Sequence, residues 1–353
     1  TKKVYSNAES VIAFGGDELS PPVYGKVYVA VKTKTGNLLN NATKLQIAKD
    51  LRKYSMASIE PVIIDPEFLY IPTSLFVFYD PTKTSKSIAE LQGLVLGAIE
   101  QFAGQEDINN FGSTFSLSKY NKAVGLADTS IDSASVQTTL LRYLTVNADT
   151  VDTYCTNFGS PIYDSNPSND GGGGSGGDGT GGDGNGGSGS GGNGGGNGGN
   201  GGDGICYKEP VIKSGQFVTS DRPDVIQYFE DDGFGNLRTY YNSGSSKIYT
   251  NNGAGTVDYA TGKICFGPVS ISDPTSVIPV QIIPTNVSNI KPATPGTIVS
   301  LPIPSITVVP IGTQPPSTIP LNNLTPEQYA VVPAVITPIT IGNTGDLNNI
   351  ACF

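Results

Sequence analysis

The chain has 353 residues, room for about two or three folding units, and carries a formal charge of −10 with no histidine. That balance argues against a nucleic-acid partner, because neutralising phosphates needs clustered Lys and Arg and no basic run is present. The missing imidazole removes Ser-His-Asp and Cys-His catalysis, which weakens the case for an enzyme or a cofactor while leaving carboxylate pairs, Lys nucleophiles and metal–carboxylate sites open. No stretch approaches the roughly 20 apolar residues that span a bilayer, so no membrane partner is expected.

In chain order, a loop from Phe14 to Gly25 precedes residues 26–32, where valine alternates with other residues as in a β-strand. Asn40 and Asn41 offer an N-cap to a helix with Leu45, Ala48, Leu51 and Tyr54 expected on one face. Two further apolar runs, 61–65 and 67–79, read as strands, with Pro66 and Pro72 marking edges or bends. Ser87 and Glu90 form a capping box ahead of Ile88, Leu91, Val95, Ile99 and Phe102 at helical spacing, with Gly104 as the stop. A short strand and helix are expected within 115–127, and a strand over 136–146 with Thr138, Leu140 and Leu144 on one face. This order predicts an α+β domain over 1–147, a ferredoxin-like or related mixed α/β sandwich.

Residues 171–204 are almost wholly Gly with Ser, Asn, Asp and Thr, which cannot bury apolar surface to offset backbone entropy. The tract is read as a flexible insertion. A calcium-binding Gly-Asp repeat would also need a periodic large apolar residue, and none is present. After it, turn signals at Asp232-Gly233 and Gly235-Asn236 and again at 260–262 separate short β-rich runs, giving an antiparallel β domain over 148–270. Glu230, Asp231 and Asp232 are read as a solvated hairpin turn and not as a metal or glycosidase site, because neighbouring strand residues point to opposite faces. Beyond Pro268, prolines recur between Val and Ile, as in residues 277–284, and residues 271–353 are expected to form an extended Pro-rich arm lying on a partner. Cys155, Cys206, Cys265 and Cys352 are expected as unpaired structural thiols, with Cys155–Cys206 as the one pairing that would close the Gly tract into a loop. No signal peptide is read at Thr1, and the start without Met fits a fragment.

Three patches carry a family likeness: the Gly-Gly-Asp-Glu and Pro-Pro-x-Tyr-Gly loop at 15–25, the Phe-Gly-Ser-Thr-Phe-Ser-Leu-Ser-Lys run at 111–119, and residues 231–238 followed by 255–262. Together they resemble the C-terminal half of the large baseplate wedge subunit of T4-like contractile-tailed bacteriophages, of the baseplate J-like family. The resemblance implies a non-enzymatic virion part in the tail baseplate, assembled in the host cytoplasm. It implies partners that are further copies of the chain and other wedge subunits, with contacts between copies linking wedges into a ring around the hub. The family's N-terminal half is not recognised here. Candidate interface residues are Phe14, Gly15, Gly16, Asp17, Glu18, Pro21, Pro22 and Tyr24 in the loop, and Val280, Ile282 and Ile283 in the arm. Two other readings remain: a particle-surface or secreted adhesin, suggested by the Gly tract, acidic charge and Val/Ile/Pro-rich tail, and a carboxylate-metal hydrolase.

Overall fold

A computed structural model of the chain describes residues 3–18, 22–35, 39–54, 59–105, 108–163, 210–272 and 277–312. The Gly-rich tract, Cys206, Cys352, Pro21 and the tail from residue 313 lie outside these residues, so the readings placed on them lie outside as well.

The chain begins with a small unit: β1 (Ala8–Gly15), a 3-10 turn (Gly16–Glu18), β2 (Lys26–Thr33), α1 (Asn41–Arg52) and β3 (Glu60–Ile64). β2 lies in the centre, antiparallel to β1 and parallel to β3. Asn40 caps α1 as its sequence position suggests, its Oδ1 accepting from the Thr43 amide at 2.8 Å. The helix face differs from expectation. Ile47, Ala48 and Leu51 turn to the sheet, whereas Leu45 and Tyr54 are 73% and 82% exposed. The cause is geometric: Ile47 takes the core position, Leu45 lies about 200° around the helix from it, and the helix ends at Arg52, before Tyr54. Ala8, Val29, Val31, Leu39, Ile47 and Ile63 form a core of their own.

The remaining elements are β4 (Glu67–Tyr70), β5 (Thr73–Tyr79), α2 (Ile88–Gln105), β6 (Phe115–Ser116), α3 (Leu117–Gly125), β7 (Ile131–Thr138), β8 (Leu140–Thr145) and β9 (Val151–Asn157). After the tract follow β10 (Ile212–Ser214), β11 (Phe217–Thr219), β12 (Arg222–Asp231), β13 (Asn236–Ser243), β14 (Ser246–Asp258) and β15 (Lys263–Ser270). Last come β16 (Val277–Ile282), β17 (Asn289–Ile290), β18 (Thr297–Ser300) and β19 (Ser305–Pro310). The capping box forms as read: Glu90 Oε2 accepts from the Ser87 amide at 2.7 Å, and Ser87 Oγ accepts from the Glu90 amide at 3.3 Å. Leu91, Val95, Ile99 and Phe102 are buried, while Ile88 stays half-exposed.

The chain is a mixed α and β protein, but its strands are distributed in an unexpected way. A large sheet runs in the order β18-β4-β8-β16-β10-β12-β13-β14-β15-β9, with β11 on β12, and a second sheet runs β19-β5-β7. The two share one device. β4 passes into β5 at Ile71-Pro72, β8 joins β7 at Thr139, and β18 passes into β19 through residues 301–304, so three broken strands cross from one sheet to the other in the same order. The Thr139 amide donates to the Pro72 carbonyl at 3.1 Å, which ties two of the breaks together. Residues 1–147 therefore contribute strands to several sheets, and no single four-stranded ferredoxin-like sheet gathers them among the described residues. The strand expected over 136–146 is two strands in two sheets.

The large sheet curls. β8 and β9 come back against each other, and Arg142 Nη1 of β8 donates to the Asn157 carbonyl at the end of β9. Phe158, Phe217, Phe229 and Phe266 fill the interior, the last two with ring centroids 4.6 Å apart.

Residues 277–310 correct the expectation of an arm. β16 lies between β8 and β10 inside the large sheet, and β18 and β19 pair in parallel with β4 and β5. Pro279 is tolerated there because β10 ends at Ser214. Gly215, just past that end, stands opposite the proline: the Pro279 carbonyl accepts from the Gly215 amide at 2.8 Å, and the Gly215 carbonyl accepts from Ser214 Oγ at 2.8 Å in place of the amide that proline lacks.

The cysteines are also corrected. β9 and β15 are antiparallel neighbours with Cys155 directly opposite Cys265, and the two form a disulfide across a Cα–Cα distance of 4.1 Å. Pairing register, invisible in cysteine spacing, selects the partner.

Candidate interaction site

The loop between β1 and β2 is pinned at its base. The Val23 amide donates to the Gly16 carbonyl at 2.8 Å, and a Cβ on Gly16 would stand 1.9 Å from the Val23 carbonyl oxygen. Only glycine permits that closure. The Gly15 amide donates to Glu18 Oε1 at 3.2 Å, so Glu18 serves its own turn while Asp17 lies exposed beside it. Gly25 at φ +79° then turns the chain into β2.

The expected interface residues separate into three groups. Phe14 is buried: its ring stacks on Tyr28 at 5.9 Å, and a Cβ on Gly296 would stand 3.3 Å from it. It therefore seats the small unit on the body. Pro22 and Tyr24 project outward, Tyr24 with 81% of its surface exposed. Val280, Ile282 and Ile283 are buried inside the chain's own sheet, at 0%, 0% and 7% exposure, so the body itself occupies these side chains.

Tyr24 is not isolated. Lys26 is the register partner of Glu60, and the Glu60 amide donates to the Gly25 carbonyl at 3.1 Å, which brings the start of β3 beside the loop. Arg52 Nη2 meets Glu60 Oε1 at 2.8 Å and brings the end of α1 to the same place. Tyr24, Tyr54 and Ile59 thus share one end of the unit, with Ile59 37% exposed. The sequence singles out Tyr24 but places Tyr54 on one helix face with Leu45, Ala48 and Leu51. The signal that would have placed it outside is the helix end at Arg52, with Tyr54 beyond the last turn.

The opposite side of the small unit is tied to the body through the 109–111 loop. Lys32 Nζ donates to the Asn109 carbonyl at 2.7 Å, and the Phe111 amide donates to Ser10 Oγ at 3.3 Å. The same loop is held by the body, since the Asn109 amide donates to the Val299 carbonyl at 3.0 Å. The exposed end is thereby presented outward on a fixed base.

The acidic run at 230–232 is no solvated turn. Glu230 is fully buried on one face of β12, where Arg238 at 3.1 Å, Lys247 at 2.5 Å and the Tyr249 hydroxyl at 2.7 Å engage it. Asp231 is buried on the other face, accepting from the Ile212 amide at 2.8 Å and the Tyr259 hydroxyl at 2.7 Å. Burial pushes its carboxyl up from the usual range, against the pull of those hydrogen bonds. The alternation of faces holds, and only Asp232 acts as a turn residue, accepting from the Phe234 and Asn236 amides at 2.8 and 3.0 Å. Two carboxylates on opposite faces, each engaged by its own partners, cannot work on one substrate. Among the described residues, no three His, Cys, Asp or Glu side chains gather as a metal site requires, and no helix is long and apolar enough to cross a membrane.

Residues 1–64 match the family described as baseplate structural protein gp6, C-terminal domain I, and residues 67–143 match gp6 C-terminal domain III. The recognisable part of this chain resembles a T4-like baseplate wedge protein, in its C-terminal portion. Baseplate wedge protein gp6 of Enterobacteria phage T4 is 33% identical over 118 residues, which are 33% of this chain and 18% of that protein. The chain thus aligns with less than a fifth of the relative's length. The match to domain I covers the small unit and its exposed end. The patches at 231–238 and 255–262 lie beyond both family matches.

Proposed function

We propose that this protein is a non-enzymatic structural component of a contractile-tail baseplate wedge, which self-associates and so helps link wedges into a ring around the central hub. Its place is the virion tail baseplate, reached after assembly in the host cytoplasm, beside other wedge subunits. The observation that carries the reading is the exposed end of the small unit. Tyr24 and Tyr54 stand more than four-fifths exposed beside Ile59, on a unit pinned to the body and matching gp6 C-terminal domain I. Aromatic side chains of this kind anchor protein interfaces, because they bury large area at small entropic cost.

The test is solution mass by light scattering across a concentration series, on the chain and on a Tyr24→Ser, Tyr54→Ser variant. Both substitutions fall on exposed positions, so folding is expected to persist. A concentration-dependent dimer whose dissociation constant rises at least tenfold in the variant supports the reading. A strict monomer, or a dimer indifferent to both substitutions, removes this end as the self-contact.

A further inference from the structure

The sheet β19-β5-β7 has two unlike edges. At β19 the chain itself meets the edge, because Gln92 Nε2 of α2 donates to the Ile306 carbonyl at 3.1 Å. At β7 the sheet stops, with Asp132, Ser133 and Ser135 exposed. β7 and β5 keep an unbroken antiparallel register from Ser133 opposite Phe78 to Thr138 opposite Thr73, and the irregularity lies outside that run, where Ile131 faces Tyr79.

The ladder fixes which backbone groups turn outward. The Thr139 amide donates to the Pro72 carbonyl at 3.1 Å, so these two residues are a bonded pair. Bonded and non-bonded pairs alternate in an antiparallel ladder. Ser133, Ser135 and Gln137 therefore bond to β5, while the amides and carbonyls of Ala134, Val136 and Thr138 point away from it. Among the described residues, no strand lies beyond these outward groups and no backbone partner meets them.

Edge strands that stay single are blunted by Lys, Pro or a bulge. The run Ser133–Thr138 carries none of these and no charge. It also has the symmetry of a self-contact. The outward residues are spaced equally about Val136, so an antiparallel copy turned about an axis there sets Val136 against Val136 and Ala134 against Thr138, each donor facing an acceptor. Ala134 and Val136 already pack on the core that α2 and α3 share, and the same residues of a second copy would extend that apolar face. Asp132 falls outside the paired run, so no like charges meet.

We propose that β7 pairs antiparallel with β7 of a second copy about Val136, joining two three-stranded sheets into one. The contact rests on the self-association proposed above for its role, since one two-fold contact stops at a dimer and a ring needs another. It uses none of the residues at the exposed end of the small unit.

The test is light scattering across a concentration series together with amide hydrogen exchange, both on the Tyr24→Ser, Tyr54→Ser chain, which lacks the small unit's contact. The expected result is a remaining, weaker dimer. In it the Ala134, Val136 and Thr138 amides exchange at least tenfold more slowly than in the dilute monomer, while those of Ser133, Ser135 and Gln137 are protected in both. Val136→Pro removes one outward amide and no bond to β5, so its dissociation constant should rise at least tenfold. Should that variant fail to fold, Ser135→Lys puts a charge at an exposed position of the same edge and should act alike. A parent dimer that becomes strictly monomeric on the tyrosine substitutions would remove this contact and leave the small unit's standing. A dimer whose three outward amides exchange as in the monomer would also overturn the proposal. So would their full protection at every dilution, which would assign the edge to a segment of the same chain.

Discussion

The small unit and the body are built on opposite plans. The small unit closes within residues 5–64, its strands adjacent in sequence or joined by one helix, around a cluster of Ala8, Val29, Val31, Leu39, Ile47 and Ile63. The body has one large core drawn from the rest of the described chain, and its strands pair across long separations. Ile278 of β16 faces Leu144 of β8, and Ile298 of β18 faces Phe68 of β4. The difference bears on the family matches. Residues 1–64 are both a match and a core. Residues 67–143 are a match but not a closed core, because β4, β5 and β8 are completed by β18, β19 and β16. A recognisable sequence segment and an autonomous folding unit coincide in the first case and separate in the second.

The comparison breaks most directly at one core side chain in each part. Phe229→Ala should cost about 3–5 kcal/mol, since the ring is fully buried against Phe217 and Phe266 and its loss leaves a cavity. Denaturant unfolding should register this as a global loss. Ile47→Ala should cost about 2–5 kcal/mol, but within the small unit. Hydrogen exchange should then quicken in α1 and β2 while the amides of β12 and β13 keep their protection. Equal loss of protection in both parts would show that the ties through Asn109, Phe111 and Gly296 make one cooperative unit.

A smaller effect tests how the body is closed. The Cys155–Cys265 link joins edge strand β9 to β15 across 110 residues of sequence. Removing both cysteines as alanines should cost about 2–4 kcal/mol, chiefly by freeing the unfolded chain. The same difference should disappear when parent and variant are compared in strong reductant. A variant as stable as its parent without reductant would mean that strand pairing alone holds β9.

How much of this was legible in the sequence depends on range. The helix at 88–105 and the Asn40 cap could be read because their determinants lie within a few residues: Ser87 and Glu90 bond each other, and Asn40 bonds Thr43. The family likeness was legible for a related reason, as short runs such as 15–25 keep their order. The sheet exchange at Ile71-Pro72, Thr139 and 301–304 was not, because a break in one strand acquires meaning only beside the breaks in its neighbours. Val280, Ile282 and Ile283 show the same limit. Their prolines and apolar side chains fit an arm equally well until β8 and β10 are known to flank them. Of the exposed end, Tyr24 could be read from its loop, whereas Tyr54 required knowing where α1 stops. Glu230 looked solvated because its partners Lys247 and Tyr249 stand on another strand.

The finest test concerns Asp231, where buried polarity holds the body together at a single point. Its carboxyl is raised mainly by burial, so the folded state favours the protonated form. The sign follows. The stability this group contributes is full below its unfolded value, near about 3.9, and is lost as pH rises through the higher folded value. Asp231→Asn keeps an oxygen to accept from the Ile212 amide and offers an NH2 to the Tyr259 oxygen, with no charge to bury. At neutral pH the variant should lie within about 1 kcal/mol of the parent, on the stable side, because the carboxylate's desolvation offsets the hydrogen bonds it strengthens. As the pH of urea unfolding is lowered toward about 4, the parent should gain on the variant and the difference should close. A variant less stable by several kcal/mol at neutral pH would reverse the assignment. It would mean that the charged carboxylate, not its shape, holds β10 and the 259–262 turn to β12.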